Sequence, residues 1–289
     1  MKVTITGANG FIGQAMARHV ARVAPGSDIV GVVRDLADGS GDLPFRLTQK
    51  IEASDVLIHL AGRGGIPESL KDPAGAFDTS CRLAVETLEA ARAAGVGCVV
   101  LVSTCAVYPF SSQPAREDGP LDLNSPYAEA KRAAEIYGLT CADLTGQDVR
   151  VARLANVYGP GQRALFIHDV ARRALQTGQV QLQSNGLEKR DLIHVDDTAD
   201  ALWHVATKGR AGQIYNVGSG DPLRIIDVAK KISAALGADL TLPEQAPGTG
   251  DVTRDAFPAT DRLGALGFRP ARGFDDGLAE TLDWIGKNT

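Results

Sequence analysis

The chain is poor in several things at once. Its four cysteines, Cys81, Cys98, Cys105 and Cys141, show neither C-x-x-C spacing nor a paired pattern. They read as reduced, mostly buried thiols of a cytoplasmic protein, which excludes a disulfide framework. Aromatic residues make up 5%, leaving few platforms on which nucleobases could stack. Basic charge is not in excess: the net charge is −5, so a nucleic-acid partner, whose phosphates need neutralising, is excluded. The five histidines are scattered, and no metal site is expected. No uninterrupted apolar run approaches the ~18 residues of a membrane span. The opening Met1-Lys-Val-Thr-Ile-Thr-Gly7 already reads as a buried strand, so no signal peptide is expected.

What is present is a soluble, globular composition of 44% hydrophobic and 22% charged residues over 289 positions. That length supports one domain or two unequal lobes. Residues 2–6, 28–33, 55–60 and 97–102 are short apolar runs that predict buried strands, with helical patterns at 14–23 and 77–94 between them. Strands alternating with helices at this spacing predict a doubly wound α/β domain with a Rossmann-like parallel sheet. Gly7, Gly10 and Gly13 separate the first strand from the first helix as G-x-x-G-x-x-G. Glycines there allow a tight turn, let phosphate oxygens reach backbone N–H groups, and bring helix close to strand. At the end of the second strand Val33 stands where an acid that reads the NAD ribose would fall, and Arg34 follows at once. An arginine accommodates the 2′-phosphate of NADP, which tilts the reading toward NADP(H); Asp35 taking the ribose is the alternative. Ala61-Gly62 ends the third strand and permits close approach of a cofactor.

The stretch Ser125-Pro-Tyr-Ala-Glu-Ala-Lys-Arg-Ala-Ala-Glu135 predicts a helix capped by Ser125 with Pro126 at its first position. Tyr127 and Lys131 then share a face, four residues apart. A cation beside a phenol favours the phenolate and would draw tyrosine ionisation toward neutrality, the property of a general acid/base. By itself the spacing is more often that of an ordinary amphipathic helix. Ser103-Thr104 at the end of the fourth strand changes the balance, because catalytic side chains are expected at the carboxyl ends of such strands.

Together, Thr6-Gly-Ala-Asn-Gly-Phe-Ile-Gly13, Ser103-Thr104 with Val107-Tyr108, Tyr127 with Lys131, and Arg153-Leu-Ala-Asn156-Val-Tyr-Gly-Pro-Gly161 resemble the extended short-chain dehydrogenase/reductases. More closely, the chain resembles the NAD(P)-dependent epimerase/dehydratase family acting on nucleotide sugars. Arg190-Asp-Leu-Ile-His-Val-Asp-Asp197 and Tyr215-Asn-Val-Gly-Ser-Gly220 extend the similarity over nearly the whole chain. The resemblance implies Thr104, Tyr127 and Lys131 as the catalytic set. It implies contacts to the cofactor from Gly7, Gly10, Phe11, Ile12, Gly13, Arg34, Asp42, Leu43, Leu60, Ala61, Gly62 and Ser80, with Tyr127 and Lys131 at the nicotinamide ribose. Asn156, Arg190 and Arg254 match residues that hold a substrate diphosphate, a role suited to planar guanidinium groups.

It further implies a homodimer formed through the helices at 77–94 and 125–143. The chain would divide into a cofactor domain, 1–159 plus about 188–214, and a substrate-binding lobe, about 160–187 plus 215–289.

The chain also departs from the family pattern. Dehydratases of the family carry Asp-Glu directly after the catalytic Thr, because removing water needs an acid and a base; here Cys105-Ala106 follows. The branch that epimerises 4-keto sugars uses a Cys two residues after the hydroxyl residue, and Cys105 is one position short. Ser80 replaces a frequent Asn, and Pro109 a frequent Gly. The reading that follows is an NAD(P)-dependent oxidoreductase at C4 of a nucleotide sugar, as 4-ketoreductase or 4-epimerase. A non-catalytic NADP-binding sensor or scaffold, and a reductase of a non-nucleotide ketone, are the alternatives.

Overall fold

The computed structural model describes residues 1–32, 50–62, 65–243 and 254–289. Arg34, Asp42 and Leu43 therefore lie outside the described residues, as does the short strand expected near 45–47. The chain begins with β1 (Lys2–Thr6), α1 (Phe11–Val23), β2 (Asp28–Val32) and β3 (Val56–His59). Then follow α2 (Ile66–Lys71), α3 (Pro73–Phe77), a π-helical stretch at Asp78–Arg82, α4 (Leu83–Ala94) and β4 (Cys98–Thr104). Next come α5 (Pro126–Thr145), β5 (Val149–Leu154), β6 (Asn156–Tyr158), α6 (Phe166–Thr177) and β7 (Gln179–Gln181). After these lie β8 (Lys189–His194), α7 (Val195–Lys208), β9 (Ile214–Val217), β10 (Pro222–Arg224) and α8 (Ile225–Leu236). β11 (Asp239–Thr241), α9 (Asp261–Ala265) and α10 (Phe274–Asn288) complete the chain.

Among the described residues six strands form one sheet in the order β2-β1-β3-β4-β5-β9, and each neighbouring pair is parallel. Parallel strands covered on both faces need apolar residues at every position, which accounts for the unbroken runs in the sequence. The alternation is visible residue by residue. Val100 and Val102 of β4 enter the core shared with α1 and α7, whereas Val99 and Leu101 enter the core shared with α4 and α5. After β1 the chain runs to β2 on one side and to β3 on the other. The crevice outside the carboxyl ends of β1 and β3 is thus the switch point at which ligands bind in such sheets.

A third core gathers α6, α8, α10 and β7 around Ile167, Val180, Ile226, Ile232 and Leu282. Small sheets β10-β8-β6 and β11-β7 border it. Residues 215–217 pair with β5 in the main sheet, as Ala152 with Tyr215 and Leu154 with Val217, and so belong with that sheet. The hydrogen-bond ladder continues to Val217, which is fully buried in the sheet's own core.

Candidate active site

Helix α5 starts as its sequence requires. The Ser125 hydroxyl accepts from Ala128 N at 3.2 Å, Pro126 takes the first turn, and Gly146 closes the helix at φ 73°. Ala128, Ala130 and Ala134 are small enough to let it press on the sheet, and Gly138 fits between Val149, Leu101 and Leu88. Tyr127 and Lys131 are half-buried on this helix. Strand β4 runs two residues past its expected end, pairing Ser103 with Arg153 and Thr104 with Leu154. Its extra length carries Thr104 to α5, close enough to Tyr127 for its hydroxyl to act on the ionisation of the phenol.

The electrostatics differ from expectation in one respect. Burial raises the ionisation of Tyr127, and the influence that opposes it is the nearby Thr104 hydroxyl, where the charge of Lys131 was expected. Lys131 Nζ instead donates to the carbonyl of Val102 at 3.0 Å. Burial brings this lysine down to about 8 against the pull of Glu135. Behind it, His59 is buried, shares a 2.9 Å hydrogen bond with Thr6 Oγ1, and is lowered to about 3 by burial and by Lys131.

The glycine turn is closely packed. Gly7 has φ 72° and a β-carbon there would lie 2.9 Å from Ala61 N, so the ends of β1 and β3 touch. Gly10 N donates to Gly7 O at 2.9 Å, and a β-carbon on Gly13 would stand 2.2 Å from that same oxygen. Phe11 and Ile12 begin α1, packed against the sheet core with Leu60. Gly62 leaves space beside Lys131: a β-carbon there would be 3.8 Å from Nζ. Ser80, buried in the π-helical stretch, has an Oγ without a hydrogen-bond partner among the described residues. A glycine cradle at the switch point, a cleared space beside an ammonium group and an orphaned hydroxyl fit an extended dinucleotide.

A cavity of about 480 Å³ opens on the other side of Asn156 and Arg190. It is lined by β6, α6 and the stretch after β7, including Phe166, Arg173, Gln181, Gln183 and Glu188. Asn156 is exposed to it and donates to Asp191 O at 3.2 Å. Arg190 stacks 5.7 Å over the Phe110 ring and donates to Arg254 O at 2.6 Å. Arg254 thus meets Arg190 through its backbone, and its side chain is not among those lining the cavity. The aromatic partner Phe110 carries no motif and escaped the sequence reading.

Cys105 is bonded away. Its thiol donates to Arg153 O at 3.3 Å, and burial pushes its ionisation well above the usual range. Ala106 N in turn donates to Thr104 Oγ1 at 3.1 Å. The positions after Thr104 therefore supply no acid.

The family model for the NAD dependent epimerase/dehydratase family matches residues 3–218, which include the glycine turn, Thr104, Tyr127, Lys131, Asn156 and Arg190 but not Arg254. The chain belongs to that family. A dTDP-glucose 4,6-dehydratase of Streptomyces griseus is 32% identical over 98% of this chain and 94% of its own. A UDP-glucose 4-epimerase of Mycolicibacterium smegmatis is 30% identical, covering 99% and 98%. Among solved structures, the dTDP-glucose 4,6-dehydratase DesIV of Streptomyces venezuelae, with NAD bound, superposes with a TM-score of 0.86 at 27% identity, covering 100% and 98%. Members of this epimerase/dehydratase family are NAD(P)-dependent enzymes of the extended short-chain dehydrogenase/reductase type, and the parallel sheet seen here is their fold.

Proposed function

We propose that this chain oxidises or reduces C4 of a nucleotide sugar without removing water, as a 4-ketoreductase or a 4-epimerase. One observation carries the reading. Thr104, Tyr127 and Lys131 converge at the carboxyl end of β4, while the next positions, Cys105 and Ala106, bring no carboxylate. Tyr127 holds the proton that leaves or joins the C4 oxygen, and Thr104 aligns the phenol while hydrogen-bonding the same oxygen. Lys131 supports the phenol and holds the nicotinamide ribose. When bound, the dinucleotide accepts or returns the hydride, so that loss of one proton and one hydride converts the alcohol to a ketone.

The glycine turn and Gly62 support a dinucleotide on the β1–β3 side, contacted also by Leu60, Ala61 and Ser80. NAD in the DesIV structure supports the nicotinamide, and Arg34 favours NADP(H). The dTDP- and UDP-sugars in the relatives' names support a nucleoside diphosphate on the other side. Arg190 and Asn156 would grip its diphosphate and the 480 Å³ cavity its nucleoside, with Arg254 completing the clamp. The cavity core and the sheet core would act as two lobes closing on the substrate. Exposed Phe77 at the end of α3 and Ile136 and Leu144 on α5, at 50%, 51% and 79%, support pairing of two copies through the helices at 77–94 and 125–143. A cytoplasmic location fits the free thiols.

The test is incubation with UDP-, GDP- and dTDP-hexoses and their 4-keto forms, with NADH or NADPH. Inversion at C4, or reduction of the ketone with oxidation of the dinucleotide, is expected. Release of water to give a 4-keto-6-deoxy sugar would refute the proposal.

A further inference from the structure

The end of β4 and the inner face of α5 meet residue by residue. Lys131 donates to Val102 O at 3.0 Å and Ser103 Oγ donates to Glu135 Oε1 at 2.5 Å, and Thr104 lies near Tyr127. Tyr127, Lys131 and Glu135 are spaced by four along the helix and so present one face. Glu135 is the fully buried member of the three. Its carboxylate also accepts from Arg153 Nε at 2.9 Å, Arg153 Nη2 at 2.7 Å and Arg132 Nη1 at 3.0 Å. Arg153, 1% exposed, is itself fixed by donating to Tyr108 Oη at 2.7 Å, and that hydroxyl donates to Asn216 Oδ1 at 2.7 Å.

We propose that Glu135 is a positioning residue for the proton transfer: one buried carboxylate locks the strand end carrying Thr104 to the helix face carrying Tyr127 and supplies the negative charge against which Lys131 stays protonated. The inference rests on the roles proposed above for Tyr127 and Lys131. A core that needed only adhesion between helix and strand would be served by apolar side chains, since burying ions costs solvation. The carboxylate sits one helical turn beyond Lys131, opposite the residue that follows the lysine's own acceptor.

The charged and titratable groups around Lys131 set the sign of each substitution. Tyr127, Arg132 and Glu135 lie on its own helix, Arg153 reaches in from β5, and His59 stands on β3, buried and neutral. Against the cations Lys131, Arg132 and Arg153, Glu135 is the carboxylate that raises the lysine. Neutralising Glu135 leaves these cations facing one another and makes Lys131 a weaker base. Neutralising Arg132, whose side chain is 25% exposed, frees Glu135 to favour the protonated lysine.

The experiment is titration of the Lys131 13Cε resonance by NMR in the intact protein, the resonance being identified by its loss in Lys131→Met. The wild-type midpoint is expected at about 8. Glu135→Gln should lower it by about one pH unit, and Arg132→Gln should raise it by about half a unit. Glu135→Asp should restore part of the loss. Midpoints for both neutral variants at the wild-type value would overturn the proposal. Where Glu135→Gln does not fold, Arg132→Gln decides, since an upward shift supports the proposal and an unmoved midpoint overturns it. The titration uses no substrate, so it fails or succeeds independently of turnover. Full activity in Tyr127→Phe would overturn the assignment of the proton-transfer residue while leaving the measured charge coupling intact.

Discussion

Gly62 stands beside Lys131, with the place of its missing side chain 3.8 Å from the ammonium nitrogen. The segment just after β3 and the second turn of α5, some seventy residues apart in the chain, thereby border one space. Thr79 O bounds it at 3.5 Å, an ordinary contact, so a methyl group fits without strain. Gly62→Ala should therefore leave stability within about 0.5 kcal/mol of wild type while weakening NAD(P)H binding. Calorimetric titration with the dinucleotide and a thermal melt check the two halves.

Gly13→Ala should behave in the opposite manner. Its methyl group would meet Gly7 O at 2.2 Å and Ala8 Cα at 2.8 Å, both backbone-linked atoms that cannot step aside. A loss of about 1–3 kcal/mol is expected, with α1 forced off β1. Urea unfolding measures it; an unchanged midpoint would refute the claimed close approach.

Tyr127→Phe removes the proton and keeps the ring. Turnover should fall by about 10²–10⁴-fold, with dinucleotide affinity little changed. A wild-type rate in this variant would exclude Tyr127 as the acid/base.

Arg190→Ala and Arg254→Ala should differ. Arg190 stacks on Phe110 beside the cavity, whereas Arg254 offers Arg190 its backbone oxygen, which alanine also has. The first change should raise KM for a nucleotide sugar about 10–100-fold, in keeping with charge-assisted hydrogen bonds. The second should raise it less. Equal effects would show that both guanidinium groups grip the diphosphate.

His59 carries a pH signature. Its folded-state value, about 3, lies below the ordinary 6.5, so on acidification the unfolded chain binds this proton first. Its contribution to stability is fully present above about 6.5 and is lost as the pH falls from there toward 3. His59→Asn should flatten the dependence of melting temperature on pH in that window. Parallel curves for the two proteins would refute it.

The glycine turn and the start of α5 were readable because each signal was local. Gly7, Gly10 and Gly13 act through backbone conformations set within a few residues, and the cap of α5 depends on Ser125 and Pro126 alone. The apolar runs of β3 and β4 foretold a sheet covered on both faces. The charge network around Glu135 was not readable in that way. Glu135 was visible as the end of the helical stretch, yet its partners Ser103, Arg132 and Arg153 come from two strands and its own helix. Nothing in spacing distinguishes it from a solvated surface glutamate. Phe110 under Arg190 is a similar case, because stacking depends on where the loop after β4 passes strand β8.

The chain's own order of residues was thus sufficient for the parallel sheet, the glycine turn and the placing of Tyr127 and Lys131 on one helical face. These follow from short-range sterics and from the period of the apolar pattern, which any one segment carries alone. Tertiary structure alone decided what sets the ionisation of that pair. Desolvation depends on everything packed around a group, and the pull on Tyr127 comes from Thr104 across the strand end rather than from Lys131 one turn away. It likewise decided that Cys105 is tied to Arg153 and that a buried carboxylate stands behind the lysine. Charge and hydrogen bonding act through space, and only the folded chain determines which distant residues share it.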